Sequence, residues 1–407
     1  ASSTVADTDT DTDTELSSFF DDDLDVGQLP RRRYQPKLEF DGVSLQMGYY
    51  SGFLSGIAQL SMSDLLGNHS ASMFTDYVGS QEISNDFTFA LSYAYFGRRA
   101  TYSATIFNWN QYYNDTQGRG PIGGYYPVGT TSLTQGLIRS RQSGLLADVT
   151  YPLDVFRRVE LSYSFVDEVR EVAWPVTEPV EAFGTHLVKT AYVHDSLNNG
   201  LLGPTAGRRY YISVGRAFEL VDGDRSFTHL EADYRHYFRL GKWSVLGIRG
   251  VGVGSLGRDG LAYNLGGPAW FLPFSPGYNL NLGPLRGYSF SEFSGSRVVL
   301  LNSEIRVPFI RNITFGWPGN FAIPAVDGAF FVDVGGAWNK SQHLNLWPLQ
   351  DPLVPYSPAT DEARLQGGMG FSFLVYFLAP LNFEFARRTD FREYSDWRMH
   401  FSFGKAF

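Results

Sequence analysis

From about residue 38 onward, apolar and polar residues alternate with a period of two, segment after segment, and this pattern restricts the fold more than any other feature. Phe87, Phe89, Leu91, Tyr93 and Tyr95 alternate with Thr88, Ala90, Ser92 and Ala94. Val159, Leu161, Tyr163 and Phe165 alternate with Glu160, Ser162 and Ser164, and Leu381, Phe383 and Phe385 with Asn382 and Glu384. Such spacing puts neighbouring side chains on opposite faces of a strand. The face opposite the apolar one holds charges and small polar groups, which suits a wet lumen inside a lipid-facing wall. The longest apolar run, Phe373 to Leu381, is broken by Pro380 and is far below the roughly 18–20 residues of a membrane helix. Yet 24 Tyr and 33 Phe are too many for an ordinary soluble surface. A membrane-spanning chain without membrane helices has one remaining solution, a closed barrel, because every backbone polar group must be paired inside the lipid.

Turn signals divide this region into about sixteen strands: 38–50, 54–64, 68–79, 85–97, 99–113, 141–153, 157–170, 184–196, 207–220, 225–240, 242–255, 296–309, 326–338, 363–375, 379–388 and 395–407. The connections give a separate check. Those after even-numbered strands are mostly short, as at Leu65–Gly67 and Tyr376–Leu378, and several after odd-numbered strands are long, at 114–140, 171–183, 256–295 and 339–362. Short turns on one side and long loops on the other is the asymmetry of outer-membrane barrels. The short-side turns 197–206 and 310–325 are longer than that rule favours. The expected fold is all-β: a transmembrane antiparallel β-barrel of about 16 strands over residues 35–407, with a long extracellular loop folded into the lumen.

Residues 1–34 read as an acidic disordered linker. Nine of the 42 acidic residues fall within residues 1–26, which contain no Lys or Arg, and the remaining 33 balance the 33 Lys and Arg of the chain. The Asp-Thr repeat is of low complexity and one sign of charge, so it cannot bury enough surface to order itself. Its carboxylates are hard ligands of the kind calcium takes, but the glycine turn and terminal Glu of an EF-type loop are missing. Arg31, Arg32 and Arg33 then reverse the charge just before the first strand, where contact with lipid headgroups is an expectation. With a neutral body, nucleic-acid binding has no electrostatic support. No signal peptide is visible, so the expectation is a chain that starts after cleavage or belongs to something longer.

No catalytic constellation stands out, and neither a metal site nor a cofactor is expected. The seven histidines form no close pair at metal-ligand spacing, and there is no Cys to assist them. His194, Ser196 and Asn198 lie two apart, an arrangement a lipase could use, but they sit at a strand end inside a Pro/Gly turn. Gly252, Gly254 and Gly257 do not precede a helix, so a phosphate-loop reading fails. The expectation is a non-enzyme.

The most informative stretch is the long segment 256–295, with Gly283-Pro284-Leu285-Arg286-Gly287-Tyr288, and the two strands after it. On strand 296–309, Asn302, Glu304 and Arg306 share the face opposite Val299, Leu301, Ile305 and Val307, so Glu304 points into the lumen. On strand 326–338, Phe330, Val332 and Val334 take the lipid side and turn Asp333 inward. Two inward carboxylates on adjacent strands form a receptor for a planar guanidinium. The residues alone leave open that Arg286 is an ordinary loop arginine and the two acids unrelated to it. Here the sequence resembles the bacterial surface antigen superfamily of outer-membrane assembly and translocation barrels, which includes BamA, TamA and the two-partner-secretion transporters. The resemblance implies sixteen strands and a sixth extracellular loop whose Arg-Gly-aromatic tip folds into the lumen. It makes Arg286, Gly287 and Tyr288 the loop plug, and Glu304 and Asp333 its receptor.

The C-terminal run Arg398-Met399-His400-Phe401-Ser402-Phe403-Gly404-Lys405-Ala406-Phe407 is similar to the closing strand of the same superfamily. Met399, Phe401, Phe403 and Phe407 share one face, and such an end also serves barrel assembly as a signal. Gly404 reads either as a weak point in a seam with the first strand or as a simple bend. Ser63-Asp64-Leu65-Leu66-Gly67-Asn68-His69 and Asp195…Pro204-Thr205-Ala206-Gly207 resemble a subgroup in which the barrel follows a TolB-like β-propeller. The resemblance implies an integral protein of the bacterial outer membrane that aids insertion or passage of polypeptides. The alternative is an anchor or passive pore that presents a periplasmic domain or partner. The implied partners are outer-membrane lipid, a polypeptide client, and an upstream propeller or partner complex.

Overall fold

In a computed structural model, the described residues are 34–50, 53–78, 88–114, 137–174, 178–200, 203–220, 225–267, 282–289, 292–310, 313–316, 321–323, 325–354, 361–376 and 380–403. The acidic tail, apart from Tyr34, and the closing residues Gly404 and Phe407 lie outside them. The alternating segments form sixteen wall strands: β1 (Leu38–Tyr50), β2 (Phe53–Asp64), β3 (His69–Val78), β4 (Thr88–Tyr95), β5 (Thr101–Asn114), β6 (Leu137–Pro152), β7 (Arg157–Trp174), β8 (Glu178–Asp195), β9 (Gly203–Phe218), β10 (Phe227–Arg239), β11 (Val245–Gly257), β12 (Arg297–Ile310), β13 (Ala325–Trp338), β14 (Gln366–Tyr376), β15 (Pro380–Arg388) and β16 (Arg398–Phe403). Each pairs antiparallel with the next. Among the described residues the ring closes where β16 meets β1, at Gly48↔Ser402 and Tyr49↔Phe401. An even number of strands puts the start of β1 and the end of β16 on the same side, that of the short turns.

Burial follows the two-residue period. On β12, Leu301 and Ile305 are 50% and 42% exposed, while Asn302 and Glu304 are 1% and 6% exposed. Large apolar side chains face outward around the ring, among them Val43, Leu45, Ile106, Leu161, Ile212, Val214 and Phe330. In water this surface would be a severe penalty at about 25 cal/mol per Å²; in a bilayer it is the lipid contact. A β-bulge at Asp41 lets Leu38 and Phe40 share the outward side with Val43 and Leu45 despite the change of parity.

Three features differ from the sequence expectation. The two over-long short-side turns hold small hairpins, Asn198–Gly200 against the start of β9 and Ile313–Phe315 against Phe321–Ile323. β6 starts four residues earlier than expected and β8 six residues earlier, and β7 ends four later. These extensions mix charged and apolar residues without strict alternation, as in Glu171-Val172-Ala173-Trp174 and Glu178-Pro179-Val180-Glu181, while backbone pairing continues. Finally, the lumen is not simply wet. Leu261, Tyr263, Leu265, Leu282, Leu285, Tyr288 and Phe293 of the β11–β12 loop form an apolar cluster with inward wall residues such as Phe107, Val251, Val298 and Leu300.

Candidate functional site: the loop tip and its receptor

The loop between β11 and β12 enters the lumen as a short hairpin, Tyr263–Leu265 paired with Phe293–Gly295. An isolated bridge, Gly267↔Leu285, carries the chain down to the tip. Gly287 has a φ of 94°, and a Cβ there would lie 2.8 Å from the backbone carbonyl carbon of Arg387. The turn therefore requires glycine for both its backbone conformation and its fit.

Arg286 is 1% exposed and the largest of the fully buried side chains. Its Nε donates to Asp333 Oδ2 at 2.6 Å and its Nη2 to Oδ1 at 2.7 Å, a bidentate pair. The Arg286 backbone N–H adds a third bond to Asp333 Oδ2 at 3.1 Å. Nη1 reaches Glu304 Oε2 at 3.4 Å, and the guanidinium lies 3.6 Å above the Phe331 ring. Burial alone disfavours the charge on Arg286, but the Asp333 carboxylate outweighs that cost and holds the group more firmly protonated than usual. Glu304 is itself shared with Arg306. Tyr288 donates its hydroxyl to the Gly367 carbonyl at 3.0 Å and packs edge-on against Phe293. Burial pushes its phenol pKa up.

All five of the tip and receptor residues read from the sequence thus meet at one place. Phe401 sits on β16, with its ring 4.9 Å from that of Phe383, and Phe403 pairs in register with Leu381. The sequence reading gave no role to several residues that complete the cradle. Asn302 donates to both Asp333 Oδ1 at 2.8 Å and the Pro284 carbonyl at 2.9 Å. Arg388 donates to the Gly287 carbonyl at 3.3 Å, bonds Glu292 at 2.8 Å, and lies 4.6 Å above the Tyr288 ring. Gly368 on β14, in register with Asp333, is the bare backbone on which the Arg286 carbonyl rests; a Cβ would collide with that oxygen. Signals for them existed in the sequence. Asn302 shares the parity of Glu304, Phe331 that of Asp333, and Gly367-Gly368-Met369-Gly370 is an unusual glycine density for a strand.

The His194–Ser196 pair forms, at 3.2 Å, but Ser196 Oγ donates to the Arg208 carbonyl and His194 stacks on Tyr210. Both groups are engaged in the β8–β9 turn.

A family model for the Omp85 superfamily domain matches residues 78–407. Among solved structures, the chain is similar to BamA from Haemophilus ducreyi lacking POTRA domains 1–3, with a TM-score of 0.58 and 16% identity over 91% of this chain and 74% of that one. It is also similar to CdiB from Escherichia coli, with a TM-score of 0.54 and 12% identity over 91% of this chain and 67% of that one. CdiB from Acinetobacter baumannii gives a TM-score of 0.54 and 12% identity over 90% of this chain and 59% of that one. No curated protein sequence matches the chain significantly. The structural likenesses, at such low identity, speak for the shared barrel, while the family match over most of the chain decides membership: the chain belongs to the Omp85 superfamily and is an integral outer-membrane β-barrel of the assembly and translocation class.

Proposed function

We propose that this barrel aids the insertion or passage of polypeptides at the outer membrane, with the β1–β16 seam as its moving part and the Arg286 tip as the lumen stopper. The observation that carries the reading is the match of residues 78–407 to the Omp85 superfamily domain, together with a loop tip seated in the lumen on Asp333 and Glu304. β16 meets β1 at Gly48↔Ser402 and Tyr49↔Phe401, where the first and last wall strands join. Backbone pairing is what holds a barrel wall shut in lipid, and this is the junction whose two strands no turn connects, so the wall opens there without stretching a covalent link. In this reading Arg286, Gly287 and Tyr288 keep the loop seated while the seam works. Glu304 and Asp333 fix that seat to β12 and β13. Phe401 and Phe403 belong to the closing strand, and the C-terminal run with Gly404 and Phe407 serves as the assembly signal. In this reading the acidic run 1–34 links the barrel to a periplasmic module or partner, a β-propeller by the sequence resemblance.

The test is a disulfide across the seam, Gly48→Cys with Ser402→Cys, in the full chain. Oxidation abolishes growth support or client insertion under this reading, and reduction restores it. Full activity with the seam quantitatively locked would instead favour an anchor or passive pore.

A further inference from the structure

We propose that the extracellular rim of β11, β12 and β13 carries a binding site for a lipid-borne phosphate, the headgroup of a phosphorylated glycolipid in the outer leaflet. A cavity of about 730 Å³ opens there, beside the tops of the three strands. Arg258, Arg297 and Lys340 line it together with Ser296, Ser341 and Asn339, and no carboxylate is among its lining residues. Arg258 already shares its charge with Glu219 at 2.6 Å and Asp259 at 3.0 Å. Among the described residues, Arg297 and Lys340 form no ion pair and are the cations left to neutralise a ligand. Asn339 accepts from the Ser296 backbone N–H through its Oδ1 at 3.0 Å, which leaves its amide N–H₂ as a further donor. A pocket of donors and cations without acids selects an anion, and phosphate takes several charge-assisted hydrogen bonds at once.

The position decides where that phosphate comes from. Arg297 shares the outward parity of Val299 and Leu301, opposite the buried Val298 and Leu300. Leu256, also lining the cavity, is outward and 42% exposed. The cavity therefore meets the lipid-facing wall on the long-loop side, at headgroup height. Below it, Gly250, Gly252 and Gly254 share the parity of Leu256 and have open space where a Cβ would stand. They face Tyr234, Ala232 and Leu230 on β10 and Leu301, Val299 and Arg297 on β12. The cationic cavity is the site; this shallow track beneath it gives an acyl chain a bed that ends at Arg297.

The experiment uses the full chain in nanodiscs of zwitterionic lipid, with three probes measured separately: bisphosphorylated lipid A, dephosphorylated lipid A and inorganic phosphate. The wild type retains the bisphosphorylated form about tenfold or more better than the dephosphorylated one, the equivalent of one strong charge-assisted contact. R297S/K340S loses that preference, and added salt weakens it. G254L, which fills the track, lowers lipid A retention and leaves inorganic phosphate unaffected. Equal retention of the two lipid A forms by the wild type overturns the proposal. So does an unchanged preference in R297S/K340S whose heat-modifiability shows an intact barrel. Inorganic phosphate bound as tightly as lipid A, with G254L without effect on either, would assign the cavity to free phosphate and overturn the lipid source.

Discussion

Replacing Arg286 with Ala leaves Asp333, 0% exposed, without its bidentate partner and without a charge to balance it. Breaking one side of a buried ion pair costs about 3–5 kcal/mol. The cost falls mainly on Asp333, because Glu304 keeps Arg306 while Asp333 keeps only uncharged donors, the Asn302 amide and the backbone N–H of residue 286. Two responses compete with simply bearing this cost. Ejecting the whole loop would rehydrate the carboxylate but would also uncover Tyr263, Leu265, Leu282, Leu285, Tyr288 and Phe293, at about 1.5–3 kcal/mol each. That sum far exceeds the gain, so the loop stays inside. Releasing only the tip uncovers Leu285 and Tyr288, about 3–6 kcal/mol on the same scale, which is close to balance. The expected result for Arg286→Ala is therefore partial: amide protection falls sharply over 285–289 and is kept at 263–265 and 293–295. Adding Asp333→Asn removes the stranded charge and restores part of the lost heat resistance on gels. Arg286→Lys rescues less than its charge suggests, since it forfeits the fork geometry and the stacking on Phe331. Unchanged protection over 285–289 in Arg286→Ala would show that the ion pair does not hold the tip, and a double variant no more stable than the single one would show that Asp333 carries no stranded charge.

Three further outcomes follow from the same geometry. Gly368→Ala forces its methyl into the Arg286 carbonyl and loosens the tip by about 1–3 kcal/mol, seen as faster exchange over 285–289, whereas Gly252→Ala, with open space around it, leaves exchange there unaltered. Leu301→Arg places a cation on the lipid face of β12, where about 2–4 kcal/mol is lost near the midplane, and its yield of heat-modifiable barrel drops, while a wild-type yield would place Leu301 away from lipid. In the β6–β7 turn, Asp154 accepts from the backbone N–H groups of Phe156 at 2.8 Å and Arg157 at 2.7 Å. The Phe156 bond and then Arg157 hold its carboxyl below the usual range. A depressed folded pKa means that the carboxylate supports the turn above about pH 4 and that this support is lost as pH falls through the folded value. Protection of those two amides should decline on acidification in the wild type, and Asp154→Ala should start low and show no such pH dependence.

The strands were legible because their signal is local. A period of two, with turn residues between segments, gives number, parity and the side of the long loops without knowledge of neighbours. β1, β12 and β13 match expectation to within a residue at each end. Strand ends β6 to β8 did not, because alternation marks the lipid boundary and not the limit of hydrogen bonding. The Arg286, Glu304 and Asp333 grouping was also within reach, since parity on two successive strands fixes which carboxylates face inward.

Local alternation and parity therefore set the class of wall and the direction of each side chain on it. Which inward groups meet depends on the assembled ring. Tyr288 reaches Gly367 and Arg388 reaches Gly287 across 79 and 101 positions, and such contacts depend on how far each strand is staggered against the next around the ring. The same closed arrangement lets an apolar loop fill a lumen that alternation alone paints as polar. Parity is a property of one strand; stagger belongs to the closed barrel.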